Sequence, residues 1–211
     1  QGTELPDSVR HGQRITGIVA NGSRVLVSID SDFDGVFLST DNAATFDPVH
    51  RLSGSNLAGK LLGTVTDLEV VRSNPNIVYA GAPGKGIYRT LDGGVTWNLI
   101  NDGLQFIDGI NQNKAGGTDE AGEDIDASSR IELALGEDKQ GHQVLYAGLI
   151  ANYPGETGVE GVKAGDRLIT IYRTENFSSP HPTWTPLNPP TSTDGGTVYG
   201  LHPGGQGDTH F

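Results

Sequence analysis

The chain has 211 residues, a formal net charge of −12 at pH 7, 31 glycines, 11 prolines, and neither cysteine nor methionine. This composition excludes a disulfide framework and thiol chemistry, and the negative charge disfavours nucleic acid and anionic membranes as partners. No apolar run reaches the roughly 18 residues of a membrane span. Short β-prone runs between glycines and prolines, without a helical pattern, predict an all-β fold.

The first predicted unit of four strands follows a polar leading segment, residues 1–13. Asn21-Gly22 joins its first two strands and is a strong hairpin signal. An acidic loop separates the second strand from the third. The predicted strands are residues 14–20, 24–29 and 35–39, followed by a short strand that opens at Thr45-Phe46.

The same order of strands repeats twice along the chain. The second unit has predicted strands at residues 66–71, 77–80, 86–90 and 97–100, and the third at residues 130–135, 144–147, 168–174 and 184–187. A four-stranded unit repeated in tandem is the sequence signature of a propeller blade. The long connections at residues 103–129 and 149–166 are predicted to be loops, and loops of this length are usually functional or mobile.

A recurring turn motif follows the third strand of each unit. Thr90 to Trp97 read Thr-Leu-Asp-Gly-Gly-Val-Thr-Trp, and Ser39 to Phe46 keep the hydroxyl, aspartate, threonine and aromatic residue, with Ala43 replacing a glycine. A third copy begins at residues 171–176, carries Asn176 in place of the aspartate, and closes at Thr183-Trp184. The aspartate carboxylate can accept hydrogen bonds from turn amides, so the motif predicts fastened hairpins. This structural role is assigned to Asp41, Asp92, Thr96 and Trp97.

The motif resembles the Asp-box, also called the bacterial neuraminidase repeat, which is found in the propellers of sialidases, xyloglucanases and sortilin-type receptors. The resemblance implies a β-propeller of four-stranded antiparallel blades, with blades at about residues 14–62, 63–128 and 129–190. Residues 191–211 are predicted to lead into a further blade. Because closed propellers have about four to eight blades, residues 1–211 are expected to form part of a propeller. The remainder of the propeller, or another copy of the chain, would complete it.

A candidate calcium site lies in the acidic loop after the second strand. Asp30, Asp32 and Asp34 match the Asp-x-Asp-x-Asp-Gly start of a calcium loop, in which alternate side chains turn oxygens towards a hard cation. The flanking segments are predicted strands, which differ from the helices of an EF-hand. The alternative interpretation is an acidic hairpin loop exposed to solvent.

Two further groups of residues could bind cations. The loop at residues 116–129 carries five acidic residues that could hold a cation or line a cleft, although a solvated charged loop is the alternative. These residues are Asp119, Glu120, Glu123, Asp124 and Asp126. His202 and His210 could form a zinc pair, but the histidines show no metal-binding spacing.

The resemblance also raises the question of catalysis, since sialidases and xyloglucanases use acidic residues in the central cleft. Asp32, Asp34 and Asp67 could serve, but no spacing selects a pair, and no catalytic residue is assigned. Arg89 and Arg173 occupy equivalent repeat positions, which indicates a structural role rather than substrate binding.

Function is therefore predicted from the resemblance and from the motifs together. The sequence indicates a non-catalytic binding or scaffolding propeller module of an exported or surface-attached bacterial protein, with protein or glycan as its partner. Calcium is the one cofactor predicted. The alternative is a glycoside hydrolase of the sialidase or xyloglucanase type whose catalytic carboxylates lie partly outside this chain.

Overall fold

A computed structural model describes residues 14–30, 35–58, 60, 62–104, 128–153, 165–177, 179 and 181–187. Twelve strands in these ranges form three antiparallel sheets of four strands each. Each sheet is a meander in which strands that are consecutive in sequence are also neighbours in space. The fold is therefore all-β, and the three sheets are propeller blades, as the sequence predicts. Within the described ranges, no helix is long and apolar enough to cross a membrane.

The strand bounds follow the predicted pattern closely. Blade 1 consists of β1 (Arg14–Asn21), β2 (Arg24–Asp30), β3 (Val36–Ser39) and β4 (Asp47–Pro48), and a 3₁₀ helix follows at Val49–Arg51. Blade 2 consists of β5 (Asp67–Val70), β6 (Val78–Ala82), β7 (Gly86–Thr90) and β8 (Asn98–Leu99). Blade 3 consists of β9 (Ser128–Glu137), β10 (Gln143–Tyr153), β11 (Gly165–Thr174) and β12 (Thr185–Leu187).

Blade 3 differs from the prediction because its two central strands are longer. The backbone of Leu149 pairs with Thr170, and pairing continues to Tyr153 opposite Gly165. Part of the predicted 149–166 loop is therefore strand. The prediction ended this strand at Ala147, although an interior glycine weakens a strand without necessarily ending it. Burial of the Leu149 side chain, which has no exposed surface, favours continuation of the strand beyond that glycine.

Alternation along each strand gives every sheet two faces that pack against different neighbours. In blade 2, Leu68 and Ala80 face blade 1 and share a buried cluster with Val19, Leu26 and other blade 1 residues. Tyr79, which precedes Ala80 on β6, faces blade 3. It joins a second buried cluster with blade 3 residues that include Leu145 and Tyr172. The apolar residues of blade 2 are thus divided between two cores, one on each side of the sheet.

Two glycines allow neighbouring blades to approach closely. A Cβ atom added to Gly17 of β1 would lie 2.9 Å from the Leu68 Cβ atom. A Cβ added to Gly81 of β6 would lie 2.8 Å from the Ile131 carbonyl oxygen. Real Cβ atoms do not approach neighbours this closely, so each blade contact contains at least one position at which only glycine fits without displacement.

Candidate functional site

The turn from Thr90 to Trp97 is organised around the Asp92 carboxylate. Asp92 Oδ1 accepts hydrogen bonds from the Thr90 hydroxyl at 2.8 Å, the Val95 amide at 3.0 Å and the Thr96 amide at 2.9 Å. Asp92 Oδ2 accepts one from the Thr96 hydroxyl at 2.7 Å. Burial raises the pKa of Asp92, but these bonds outweigh it and lower the pKa below its ordinary value.

The turn from Ser39 to Phe46 repeats this network in a more exposed position. Asp41 accepts hydrogen bonds from the Thr45 hydroxyl at 2.6 Å, the Thr45 amide at 2.9 Å and the Ser39 hydroxyl at 2.8 Å. These bonds, those from Thr45 first, lower the pKa of Asp41 to about 2. Asn42 and Ala43 have φ values of 60° and 64°, a conformation that glycines adopt at the equivalent positions of the second turn.

The third turn, from Thr174 to Trp184, keeps the arrangement with an amide in place of the carboxylate. Asn176 Oδ1 accepts hydrogen bonds from the Thr174 hydroxyl at 2.8 Å and from the Thr183 amide at 3.0 Å. The oxygen of an asparagine side chain can accept these bonds as the aspartate oxygen does. The substitution therefore preserves the turn geometry and removes its charge.

The second and third turns are also held by the part of the chain that precedes their own blade. In blade 1, the Asn56 side chain accepts a hydrogen bond from the Trp97 amide at 2.9 Å and donates one to the Trp97 carbonyl at 2.8 Å. In blade 2, the Asp102 carbonyl accepts from the Trp184 amide at 3.1 Å, and the Ile100 carbonyl accepts from the Trp184 indole at 2.6 Å. The tryptophans that close the second and third turns are consequently points of attachment between blades.

A tyrosine–arginine pair forms a second attachment between blades 2 and 3. Tyr79 and Arg89 are cross-strand neighbours on β6 and β7, and both are buried. The Arg89 guanidinium donates to the Phe177 and Ser179 carbonyls of the third turn, and the Tyr79 hydroxyl donates to the Phe177 carbonyl at 3.3 Å. The Tyr79 and Phe177 rings meet edge to face, with centroids 6.0 Å apart. Arg89 therefore has the structural role that its repeat position predicts.

Two acidic residues of β5 bond to main-chain amides of β9 in the neighbouring blade. Asp67 Oδ2 accepts a hydrogen bond from the Leu133 amide at 2.7 Å, and Glu69 accepts one from the Leu135 amide at 3.3 Å. Burial raises the pKa of Asp67, and the neighbouring Glu132 charge raises it further against the effect of the Leu133 amide. A carboxyl with a raised pKa holds its proton to a higher pH than a free carboxyl does and can then act as an acid.

The other predicted site residues are divided between the described and the remaining parts of the chain. Asp30 ends β2 and its carboxylate forms an exposed ion pair with Arg14 at 2.8 Å. Asp32 and Asp34 lie outside the described residues, so the structure does not test the calcium site. The acidic loop residues and the histidine pair of the sequence analysis also lie outside them; these are Asp119, Glu120, Glu123, Asp124, Asp126, His202 and His210.

The histidines of the described ranges are dispersed. His142 pairs with Asp138 at 3.0 Å in the β9–β10 turn, and His181 pairs with Asp102 at 3.0 Å between blades 3 and 2. Across the ranges that the structure describes, no three histidine, aspartate or glutamate side chains are grouped so as to hold a metal ion.

Sequence reasoning overlooked Glu69, Glu132 and Asn56. Asp67 and Glu69 are two residues apart on one strand, and the period of a strand places such residues on the same face. That spacing could have identified them as a pair that reaches the next blade. Asn56 carries no comparable signal, because it lies in the irregular segment after β4 and its partner, Trp97, is 41 residues away.

No family model matches the chain, and no curated protein matches it in sequence. Among solved structures, the chain is similar to a GH74 xyloglucanase from Xanthomonas campestris, with a TM-score of 0.39 and 13% identity, over 82% of this chain and 22% of that one. An ancestral GH74 enzyme gives a TM-score of 0.32 and 16% identity, over 83% and 25% of the two chains. YCF48 bound to D1 peptide gives 0.32 and 14%, over 84% and 55%.

The chain thus spans between 22% and 55% of the length of these three structures. TM-scores below 0.5 carry no argument about activity or partners. Three four-stranded meanders, whose faces pack against one another, identify this chain as three blades of a propeller.

Proposed function

We propose that the three fastened turns are Asp-boxes and that the chain is a non-catalytic binding or scaffolding module of an exported or surface-attached bacterial protein. Its partner would be a protein or a glycan. The observation that carries this proposal is the use of polar side chains at the blade contacts. Asp92, Asp67, Glu69 and Arg89 all bond to main-chain groups that position a turn or a neighbouring blade.

This use of side chains supports a scaffold for a physical reason. A carboxylate that accepts amide hydrogen bonds within the fold stabilises it, and removing such a group leaves donors without partners at a cost of about 1–3 kcal/mol. A catalytic carboxylate must instead face the substrate and exchange a proton during the reaction. The two main-chain-bound acids of β5 are therefore assigned to the attachment of blade 3.

Turnover assays test the scaffold proposal directly. The protein is incubated with xyloglucan oligosaccharides, fluorogenic β-glucosides and fluorogenic α-sialosides across pH 4 to 8, and the scaffold reading expects no release above the buffer rate. Parallel titrations with the same glycans immobilised, and with a peptide library, should give saturable binding to at least one. Hydrolysis that disappears in Asp67→Asn but persists in Glu69→Gln would overturn the proposal.

The second candidate function is a glycoside hydrolase, and the raised pKa of Asp67 is the observation that favours it. Asp67 would act as the general acid, and Glu132, whose charge contributes to raising that pKa, is the candidate for the second carboxylate. This reading expects a rate that declines as the pH rises through the raised pKa of Asp67, because the acid then loses its proton. A pH-rate profile unchanged in Asp67→Asn would eliminate it.

Calcium binding at Asp30, Asp32 and Asp34 is proposed as a structural aid to the β2–β3 connection. Because the Asp30 carboxylate is paired with Arg14, a bound ion would compete with that guanidinium. The expected result is a melting temperature that rises with added CaCl₂ and falls with EDTA. Asp32→Asn combined with Asp34→Asn should remove the response, and Arg14→Ala should strengthen it. A melting temperature that is insensitive to both reagents would refute the site.

A further inference from the structure

Blade 3 carries a second copy of the tyrosine–arginine pair that attaches blade 3 to blade 2. On β6 and β7, Tyr79 pairs with Arg89, the residue before Thr90 of the second turn. On β10 and β11, Tyr146 pairs with Arg173, the residue before Thr174 of the third turn. The two pairs therefore occupy the same register position in consecutive blades.

The two pairs also point in the same direction relative to their blades. Tyr79 faces blade 3, as its contacts with Phe177 show. Leu145 and Ala147, on either side of Tyr146, belong to the core shared with blade 2. Because alternate residues of a strand face opposite sides of the sheet, Tyr146 and its cross-strand neighbour Arg173 face away from blade 2.

The surroundings of the two pairs differ. Tyr79 has no exposed surface and Arg89 is 2% exposed, since the third turn covers them. The Arg173 side chain is 31% exposed and Tyr146 is only partly buried. Arg173 forms an ion pair with Glu175 at 2.6 Å, and Glu175 is itself 58% exposed. The second pair thus has the same residues and orientation as the first, without the cover of a described turn.

The polarity of each cross-strand pair matches the length of the turn that it contacts. Blade 1 has Leu26 and Leu38 at the corresponding positions, and a Cβ added to Gly94 of the second turn would lie 2.6 Å from Leu26 Cδ2. An apolar pair therefore packs on a compact glycine turn. The Tyr79–Arg89 pair instead binds carbonyls of a longer turn, because Thr174 to Trp184 contain eleven residues and Thr90 to Trp97 contain eight.

We propose that the Tyr146–Arg173 pair is a docking site for a further four-stranded blade whose turn is of the long type and presents main-chain carbonyls. The site continues the interface already formed between blades 2 and 3, and the guanidinium complements the negative end of carbonyl dipoles. A second copy of this chain would offer its compact Ser39–Phe46 turn, which suits an apolar pair. The inference deepens the proposed scaffolding role and rests on it.

Two cyclised hairpin peptides test the site on the full chain. One contains residues 171–187, with the long turn, and the other contains residues 36–48, with the compact turn. Fluorescence anisotropy should show saturable binding of the first and at least tenfold weaker binding of the second. Arg173→Leu should weaken binding of the first peptide by about tenfold or more, since hydrogen bonds from a charged group are lost. Tyr146→Phe should weaken it less, and Arg173→Lys should retain part of it.

Arg14→Leu is the matched control, because it removes an exposed arginine that also pairs with one carboxylate, and it should leave the affinity unchanged. Thermal melts of all variants verify that they are folded. The proposal is overturned if the long hairpin does not bind, if both hairpins bind equally, or if Arg173→Leu binds as the parent does. It is also overturned if sedimentation shows a dimer that Arg173→Leu abolishes, since a second copy would then be the occupant. Glycoside turnover would refute the scaffolding role without altering these affinities.

Discussion

Replacement of Asp92 by alanine gives the sharpest test of how the turns are held. The carboxylate accepts bonds from two hydroxyls and from the amides of Val95 and Thr96. Alanine leaves both amides without their acceptor in a half-buried turn. Each such loss costs about 1–3 kcal/mol, and partial access of water places the total at about 2–3 kcal/mol. For a chain of this size, that loss corresponds to roughly 4–12 °C in melting temperature.

Two companion variants separate the hydrogen bonds from the charge. Asp92→Asn keeps an oxygen that accepts the amide bonds, as Asn176 does in the third turn, and should lose less than half as much stability. Asp47→Ala removes the same charge from an exposed position on β4 and should change stability by less than about 0.5 kcal/mol. Urea unfolding is followed by the fluorescence of Trp97 and Trp184 together. Equal losses in all three variants, or no loss in Asp92→Ala, would refute the reasoning.

Three further predictions concern the same attachments. Arg89→Leu removes two hydrogen bonds from a charged donor to the Phe177 and Ser179 carbonyls and should cost about 2–4 kcal/mol in urea unfolding, with Arg89→Lys losing less. An Arg89→Lys variant as stable as the parent would show that the fork of donors is irrelevant. Ala43→Gly relieves a residue with a φ of 64° and should raise stability by about 1 kcal/mol, whereas Ala44→Gly, without a positive φ, should lower it; a reversed order contradicts the strain argument. Because the folded-state pKa values of Asp41 and Asp92 are depressed, the stabilisation that they give should be complete above about pH 4 and lost as the pH falls towards 2. Unfolding measured from pH 5 to pH 2 checks this, and an Asp41→Asn, Asp92→Asn double variant should show a flatter dependence than the parent.

The fold was largely predictable because its signals are local. Alternating apolar residues, the Asn21-Gly22 turn and the repeated turn motif each act within a few residues, and they located the twelve described strands, eleven of them to within about three positions. The extension of β10 beyond Gly148 was not predictable, because burial of Leu149 depends on a neighbouring blade. The partners of Arg89 were not predictable either, because Phe177 lies 88 residues away and no local pattern joins the two residues.

The candidate site was less predictable than the fold. The sequence identifies Asp67 as an acidic residue on a strand, but its raised pKa arises first from burial and then from the charge of Glu132, which lies on another blade. The sequence also gives Asp41 and Asp92 the same role, whereas the structure places the Asp92 turn in contact with blade 1 through Asn56. Whether a carboxylate serves structure or chemistry depends on these contacts between blades.

The side chains that attach the second and third turns to a neighbouring blade come from earlier in the chain. Asn56 precedes the tryptophan that it binds, and Tyr79 and Arg89 precede the turn whose carbonyls they contact. During synthesis, each new hairpin therefore emerges from the ribosome beside a finished template with its donors and acceptors in place. Assembly from the first blade onwards can proceed without waiting for later segments, so a ribosome paused after blade 2 should already carry a folded pair of sheets.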